Sequence, residues 1–95
     1  MAEYRLSNSA KEDLIRIHQY GMLKFGEVQA DKYLSSFFDY FELIAEMPFA
    51  FEAVDFIKPN YRRCVCGVDS IFYRVESQCV EIISIVVKQD IQHIL

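Results

Sequence analysis

Tyr61-Arg62-Arg63-Cys64-Val65-Cys66-Gly67 is followed, after Val68-Asp69, by Ser70-Ile71-Phe72-Tyr73-Arg74-Val75. The two runs read as short strands joined by a turn at Gly67-Val68-Asp69. Successive side chains on a strand point to opposite faces, so Ile71, Tyr73 and Val75 share one face and Phe72 and Arg74 the other. The hairpin carries three arginines in a chain with a formal net charge of -4. Arg62 and Arg74 can mark a working surface while their neighbours fill a core. The plain alternative is an antiparallel hairpin with two surface arginines.

Outward from the hairpin, each flank has its own signature. Val80 to Val87 is almost continuously apolar, too much so for a strand with one wet face. It reads as a strand over 79–87, central in its sheet or covered by a partner, with Ser77-Gln78 as the turn before it. The middle strand spans 70–76. Upstream, Pro59-Asn60 signals a turn, and 49–55 has no clear period and reads as a loop. Ala30, Leu34, Phe37, Phe38, Phe41, Ile44 and Ala45 follow the 3.6-residue period of a helix, ended by Pro48. Such an aromatic stripe packs on a sheet more readily than it lines a ligand pocket. Ala10, Leu14, Ile17 and Gly21 mark an earlier helix, opened by a capping box at Ser9-Ala10-Lys11-Glu12 and closed by Gly26. The connection Lys24-Phe25-Gly26-Glu27 is so short that the two helices form an antiparallel hairpin. Tyr4 and Leu6 alternate in a first short strand. The order is β-α-α-β-β-β, an α+β fold with a helical hairpin on an antiparallel sheet, and 1–95 reads as one domain.

Composition narrows the function classes. Residues 1–57 hold ten acids and five basic residues, and residues 58–95 hold four and five. An acidic chain is a poor general binder of nucleic acid, and no direct sequence-specific contact with nucleic acid is expected. The start, Met1-Ala2-Glu3-Tyr4, has no secretory pattern, and no apolar run has the length of a membrane span. Three cysteines fit a reducing cytoplasm better than a disulfide framework. Cys64, Cys66, Cys79 and His93 match no zinc spacing and read as packed thiols and a tail histidine. No cofactor or metal is expected.

Acid-base chemistry has few candidates. His18 lies within the first helix, and Glu12 and Arg16 have the spacing of a weak ion pair. Arg62, Arg63, Arg74 and Lys88 could supply charge around a scissile phosphate, and Tyr73 or His93 a proton. That set is incomplete, because the tail adds one Lys and one His with no Arg or Tyr.

Several short stretches, in order across nearly the whole chain, resemble the ParE toxins of the RelE/ParE superfamily. They are Tyr4-Arg5-Leu6-Ser7, Ala10 to Leu14 with Ile17 and Tyr20, Phe25-Gly26 with Gln29-Ala30, and Ala45-Glu46-Met47-Pro48. Tyr61-Arg62-Arg63, Ile71-Phe72-Tyr73-Arg74 and Glu81-Ile82-Ile83 complete the set. The resemblance implies a cytoplasmic toxin that inhibits DNA gyrase by binding rather than by catalysis. It also implies a ParD-like antitoxin, a toxin–antitoxin hetero-oligomer and no membrane. Target or antitoxin contacts are expected at Lys58, Tyr61, Arg62, Arg63, Tyr73, Arg74 and Lys88, with Arg62 and Arg74 on one face. The alternatives are a RelE-type ribosome-dependent messenger RNA endoribonuclease, or a detoxified relative that only binds antitoxin. Two departures stand out. The family commonly has Gly-Ser-His before the Ile-Phe-Tyr-Arg run, where this chain has Gly67-Val68-Asp69-Ser70, and Arg-Ile-Leu-His where it has Ser84-Ile85-Val86-Val87.

Overall fold

The computed structural model describes residues 3–87. The elements are β1 (Tyr4–Leu6), α1 (Asn8–Phe25), α2 (Glu27–Glu46), β2 (Glu52–Ala53), β3 (Tyr61–Cys66), β4 (Asp69–Val75) and β5 (Val80–Val87). They form one five-stranded sheet in the order β1-β5-β4-β3-β2. The helical hairpin on a sheet is as expected, and β2 through β5 pair antiparallel. β1 is the exception: it joins β5 in parallel, which makes the sheet mixed. A second addition to the expected order is β2. Two residues give no readable period, so β2 is legible only from its pairing with Arg62 and Arg63.

The turn from β1 into α1 corrects the expected cap. Ser7, not Ser9, caps the helix: its Oγ accepts from the Ala10 N–H at 3.0 Å, and its backbone is extended (φ -69, ψ 164). Ser7 also donates through its own N–H to Ile82 O at 3.0 Å and through its hydroxyl to Ile83 O at 2.7 Å. One serine thus ends a strand pairing and starts a helix, which leaves Ser9 inside the first turn. Gly26 alone separates the helices, at φ 86. His18 Nε2 lies 2.8 Å from Asp31 Oδ1 across the hairpin. A Cβ at Gly21 would sit 3.3 Å from the Ala30 Cβ, so small residues set the helix spacing there. Arg16 pairs with Asp13 at 3.3 Å rather than with Glu12.

The core lies between the hairpin and the sheet. Phe37, Phe41 and Ile44 of α2 meet Leu14 and Ile17 of α1 and Ile71, Tyr73, Ile82 and Ile85 of the sheet. Burying a large apolar side chain contributes about 2–3 kcal/mol. Phe38 departs from the expected stripe: it is partly exposed, edge-on to Phe41 at 5.5 Å.

β5 is flanked on both sides by strands, which accounts for part of its apolar run. The rest comes from a register slip. Phe72 faces Ser84 while Tyr73 faces Ile82, so Ile83 is an extra residue. A bulge of this kind shifts the phase of alternation, which is why Val80, Ile82 and Ile85 are all buried. Beyond the end of β1, α1 takes over the edge of β5. Asp13 Oδ2 accepts from the Ile85 N–H at 2.9 Å, and Arg16 donates to Ile85 O at 3.3 Å.

Candidate functional site

The arginine hairpin is closed by a two-residue turn, Gly67-Val68, between the paired Cys66 and Asp69. Gly67 takes φ 62 and Val68 does not have a positive φ, the sign pattern of a II′ turn, whose first position favours glycine. The resulting register sets Tyr61 opposite Arg74, Arg62 opposite Tyr73 and Arg63 opposite Phe72. Directly opposed residues share a face. Arg62 therefore lies on the helix side with Tyr73 and Cys64, while Arg63 and Arg74 share the other side with Phe72. The expected pairing of Arg62 with Arg74 on one face is corrected to Arg63 with Arg74. A one-residue offset in register exchanges every side chain between faces, and the turn length that decides it is not visible in alternation alone.

On that far side the cations are already matched by the chain's own acids. Arg63 contacts Glu52 Oε1 at 2.7 Å. Arg74 contacts Glu76 at 3.0 Å and Glu81 at 3.1 Å. Arg5 joins the same two acids at 2.7 and 3.6 Å. Arg5, Glu81 and Arg74 stand side by side on β1, β5 and β4. The Arg5 and Arg74 side chains are 55% and 42% exposed, so water and salt screen their pairs, which contribute little to stability. The row therefore organises charge more than it holds the fold.

Arg62 is different. Its Nη1 donates to Phe51 O at 2.7 Å, and its guanidinium lies 4.9 Å from the centre of the exposed Phe49 ring. It forms no ion pair among the described residues. It lines a groove of about 350 Å³ together with Phe49, Ala53, Asp55, Asn60, Tyr61, Arg74 and Val75. Arg62 and Arg74 thus reach one groove at the sheet's end, though from opposite faces. Tyr61 stands with them. Lys58 is exposed in the turn before β3 and lines no part of the groove. Lys88 and His93 lie outside the described residues. Phe49, Asp55 and Asn60 escape sequence reading, because a loop without a period carries no signal of which side chains face a groove.

Tyr73 is fully buried, with its hydroxyl donating to Pro48 O at 2.6 Å. Burial pushes its phenol up to about 12, against the pull of the Arg62 charge. Burial, then the neighbouring Cys66, pushes the Cys64 thiol up to about 11. Cys64 and Cys66 are packed thiols, as expected. A second buried group sits at the hairpin's turn. The Tyr33 hydroxyl shares its proton between Asp69 Oδ2 at 2.7 Å and Cys66 O at 2.9 Å. Burial first, then the bond and charge of Asp69, raise the Tyr33 phenol. Asp69 Oδ1 and Ser70 Oγ have no hydrogen-bond partner among the described residues.

These shifts set an alkaline limit on stability. The folded state holds protons on Cys64 and Tyr73 after the unfolded chain, at its ordinary values of 9.0 and 10.0, has released them. Their contribution is fully present below about pH 9 and is lost as pH rises through about 12. Urea midpoints measured from pH 8 to 12 should fall across this window, and Tyr73→Phe should flatten its upper part. Equal slopes for the two proteins would show that Tyr73 is not the titrating group.

No group of His, Cys, Asp and Glu able to hold a metal ion occurs among the described residues. None of the described helices is long and apolar enough to cross a membrane.

Known proteins share this fold. The "Chromosomal ParDE TA system from P. aeruginosa" has the same fold, with a TM-score of 0.81 at 17% identity over 92% of this chain and 96% of that one. Toxin ParE1 of Caulobacter vibrioides (strain ATCC 19089 / CIP 103742 / CB 15) is 39% identical over 75 residues, 79% of this chain and 78% of its own length. Residues 4–91 match the family described as the ParE toxin of type II toxin-antitoxin system, parDE. With that match running from the first strand past the last, and with a relative this similar in sequence, the chain belongs to the ParE toxin family.

Proposed function

We propose that the protein acts in the cytoplasm as the toxin of a type II pair. In this reading it poisons DNA gyrase by binding the enzyme's cleavage-competent DNA complex, and a ParD-like antitoxin holds it in check. The observation that carries binding over catalysis is the position of Tyr73. Tyr73, the phenol of β4, is fully buried and its hydroxyl donates a hydrogen bond to Pro48 O. A general acid or base has to reach the proton that it moves, and Tyr73 reaches only the core. The arginines remain as a recognition surface.

The test pairs a target assay with a variant. The purified chain, incubated with gyrase and plasmid, should slow supercoiling and raise cleaved DNA, and it should leave ribosome-bound messenger intact. Tyr73→Phe should lose about 1 kcal/mol of stability, the net worth of a typical hydrogen bond. It should poison gyrase as well as the parent once folded. Codon-specific cuts that vanish in Tyr73→Phe would instead establish the RelE-type reading. The ion pairs of Arg63 and Arg74 favour a second reading, a detoxified relative that keeps only antitoxin binding. Intact gyrase activity and normal growth on induction, with tight antitoxin binding, would establish that one.

A further inference from the structure

We infer that the groove beside β2 is a carboxylate-binding site, with Arg62 as its receptor, for a side-chain acid flanked by apolar residues on a partner protein. Four of the described residues with guanidinium groups, Arg5, Arg16, Arg63 and Arg74, have an acid of their own within 4.0 Å, and Arg62 has none. Arg62 is also half-buried. A desolvated charge without a counter-ion is costly, and the cost falls when an anion arrives. The carbonyl of Phe51 and the ring of Phe49 hold the guanidinium plane in place while engaging only one of its nitrogens in a hydrogen bond. The remaining N–H groups form the fork that matches a carboxylate.

The surroundings choose between anions. Asp55 lines the same groove, its Oδ1 accepting from the Asn60 N–H at 2.7 Å, and Glu76 and Glu81 sit against Arg74. A polyanion such as a nucleic-acid strand would meet these acids in turn, whereas one carboxylate meets Arg62 alone. Phe49 lines the groove and is 68% exposed, and Val75 lines it too. An exposed ring and an apolar side chain around a charge receptor suit a peptide whose acid has apolar neighbours. The proposed function enters only in naming a protein as the source of the acid.

The test titrates the isotope-labelled full chain with N-acetyl-Phe-Glu-Phe-amide, its Gln-centred counterpart and an eight-residue thymidine oligonucleotide. With the Glu peptide, NMR signals of the Phe51, Ala53, Asn60 and Tyr61 amides and of the Arg62 Nε–H should move together. Affinity should fall at least tenfold for the Gln peptide and for Arg62→Gln, and stay at the parent's level for Arg16→Gln, whose side chain pairs with Asp13 on α1. Should Arg62→Gln fail to fold, Arg62→Lys keeps the charge, loses the fork and should bind several-fold more weakly. Absence of shifts, equal binding of the Gln peptide, tighter binding of the oligonucleotide, or equal loss in Arg16→Gln overturns the site. So does movement of the same signals on concentrating the chain alone, which would mark a second copy as the occupant. Gyrase and antitoxin take no part in this titration. Failure here therefore leaves the proposed function standing, and failure to poison gyrase leaves the groove standing.

Discussion

Phe41→Ala should lower stability by about 4 kcal/mol, in the range found for removing a buried aromatic ring. Phe41 has no exposed surface, and its ring packs against those of Tyr4 at 5.4 Å, Phe38 at 5.5 Å and Phe37 at 6.4 Å. It joins α2 to β1, so its loss loosens the hairpin from the sheet edge as well as opening a cavity. Domains of this size are stable by roughly 5–15 kcal/mol, and the variant should be partly unfolded at 37 °C. Urea denaturation gives the value. Phe38→Ala is the control. That ring is 38% exposed, and its removal should cost about 1 kcal/mol, within the ordinary range for a partly buried site. Equal losses for the two variants would mean that Phe41 does not hold the centre of the core.

Gly67→Ala should cost about 3 kcal/mol, and here the damage falls on the arginine hairpin. Two effects combine. The left-handed φ of 62 is strained for alanine, by about 1 kcal/mol. The added Cβ would also lie 2.7 Å from the Tyr33 hydroxyl and 2.9 Å from its ring. Tyr33 has to move, which strips its proton from Asp69, a carboxylate 3% exposed with its other oxygen already unpartnered. Leaving a buried polar group unpaired costs about 1–3 kcal/mol. A Tyr33→Ala background separates the two effects. There an added Cβ at position 67 no longer meets the hydroxyl or the ring, so Gly67→Ala should show the strain alone, about 1 kcal/mol. If Gly67→Ala cost as much in that background as in the parent, the contact between Tyr33 and the turn would carry no weight. A Gly67 variant should also weaken any partner that reads the arginines, because Tyr33 is what ties the β3–β4 turn to α2.

Local chemistry made most of the architecture readable from residues alone. The period of Ala30, Phe37, Phe41, Ile44 and Ala45 marks α2, because a helix buries whatever recurs every 3.6 positions. Gly26 between two such patterns leaves no length for anything but a helical hairpin. The alternation of Ile71, Tyr73 and Val75 marks the core face of β4, and the nearly continuous apolar run of β5 reads as a strand that is central in its sheet or covered by a partner. The relationship to ParE toxins was also legible, carried by short runs whose order and spacing persist across the chain.

What the residues could not disclose is whatever depends on a partner distant in sequence. Ser9, with Glu12 three residues on, reads as the cap until Ile82 and Ile83 arrive to bond Ser7. A two-residue strand has no period, and it exists because Arg62 and Arg63 lie beside it. The bulge at Ile83 is invisible in an apolar run, since each residue there suits either face. The arginines show the same division most clearly. Their number and strand were evident in sequence, but which of them meets an acid was not. Glu81 meets Arg74 across the β4–β5 pairing, Glu52 meets Arg63 across the β2–β3 pairing, and Glu76 reaches Arg74 from two residues on, which leaves Arg62 without a carboxylate among the described residues. Side-chain periodicity is a local property, whereas charge compensation is decided by distances across the sheet, and only the tertiary structure brings those groups together.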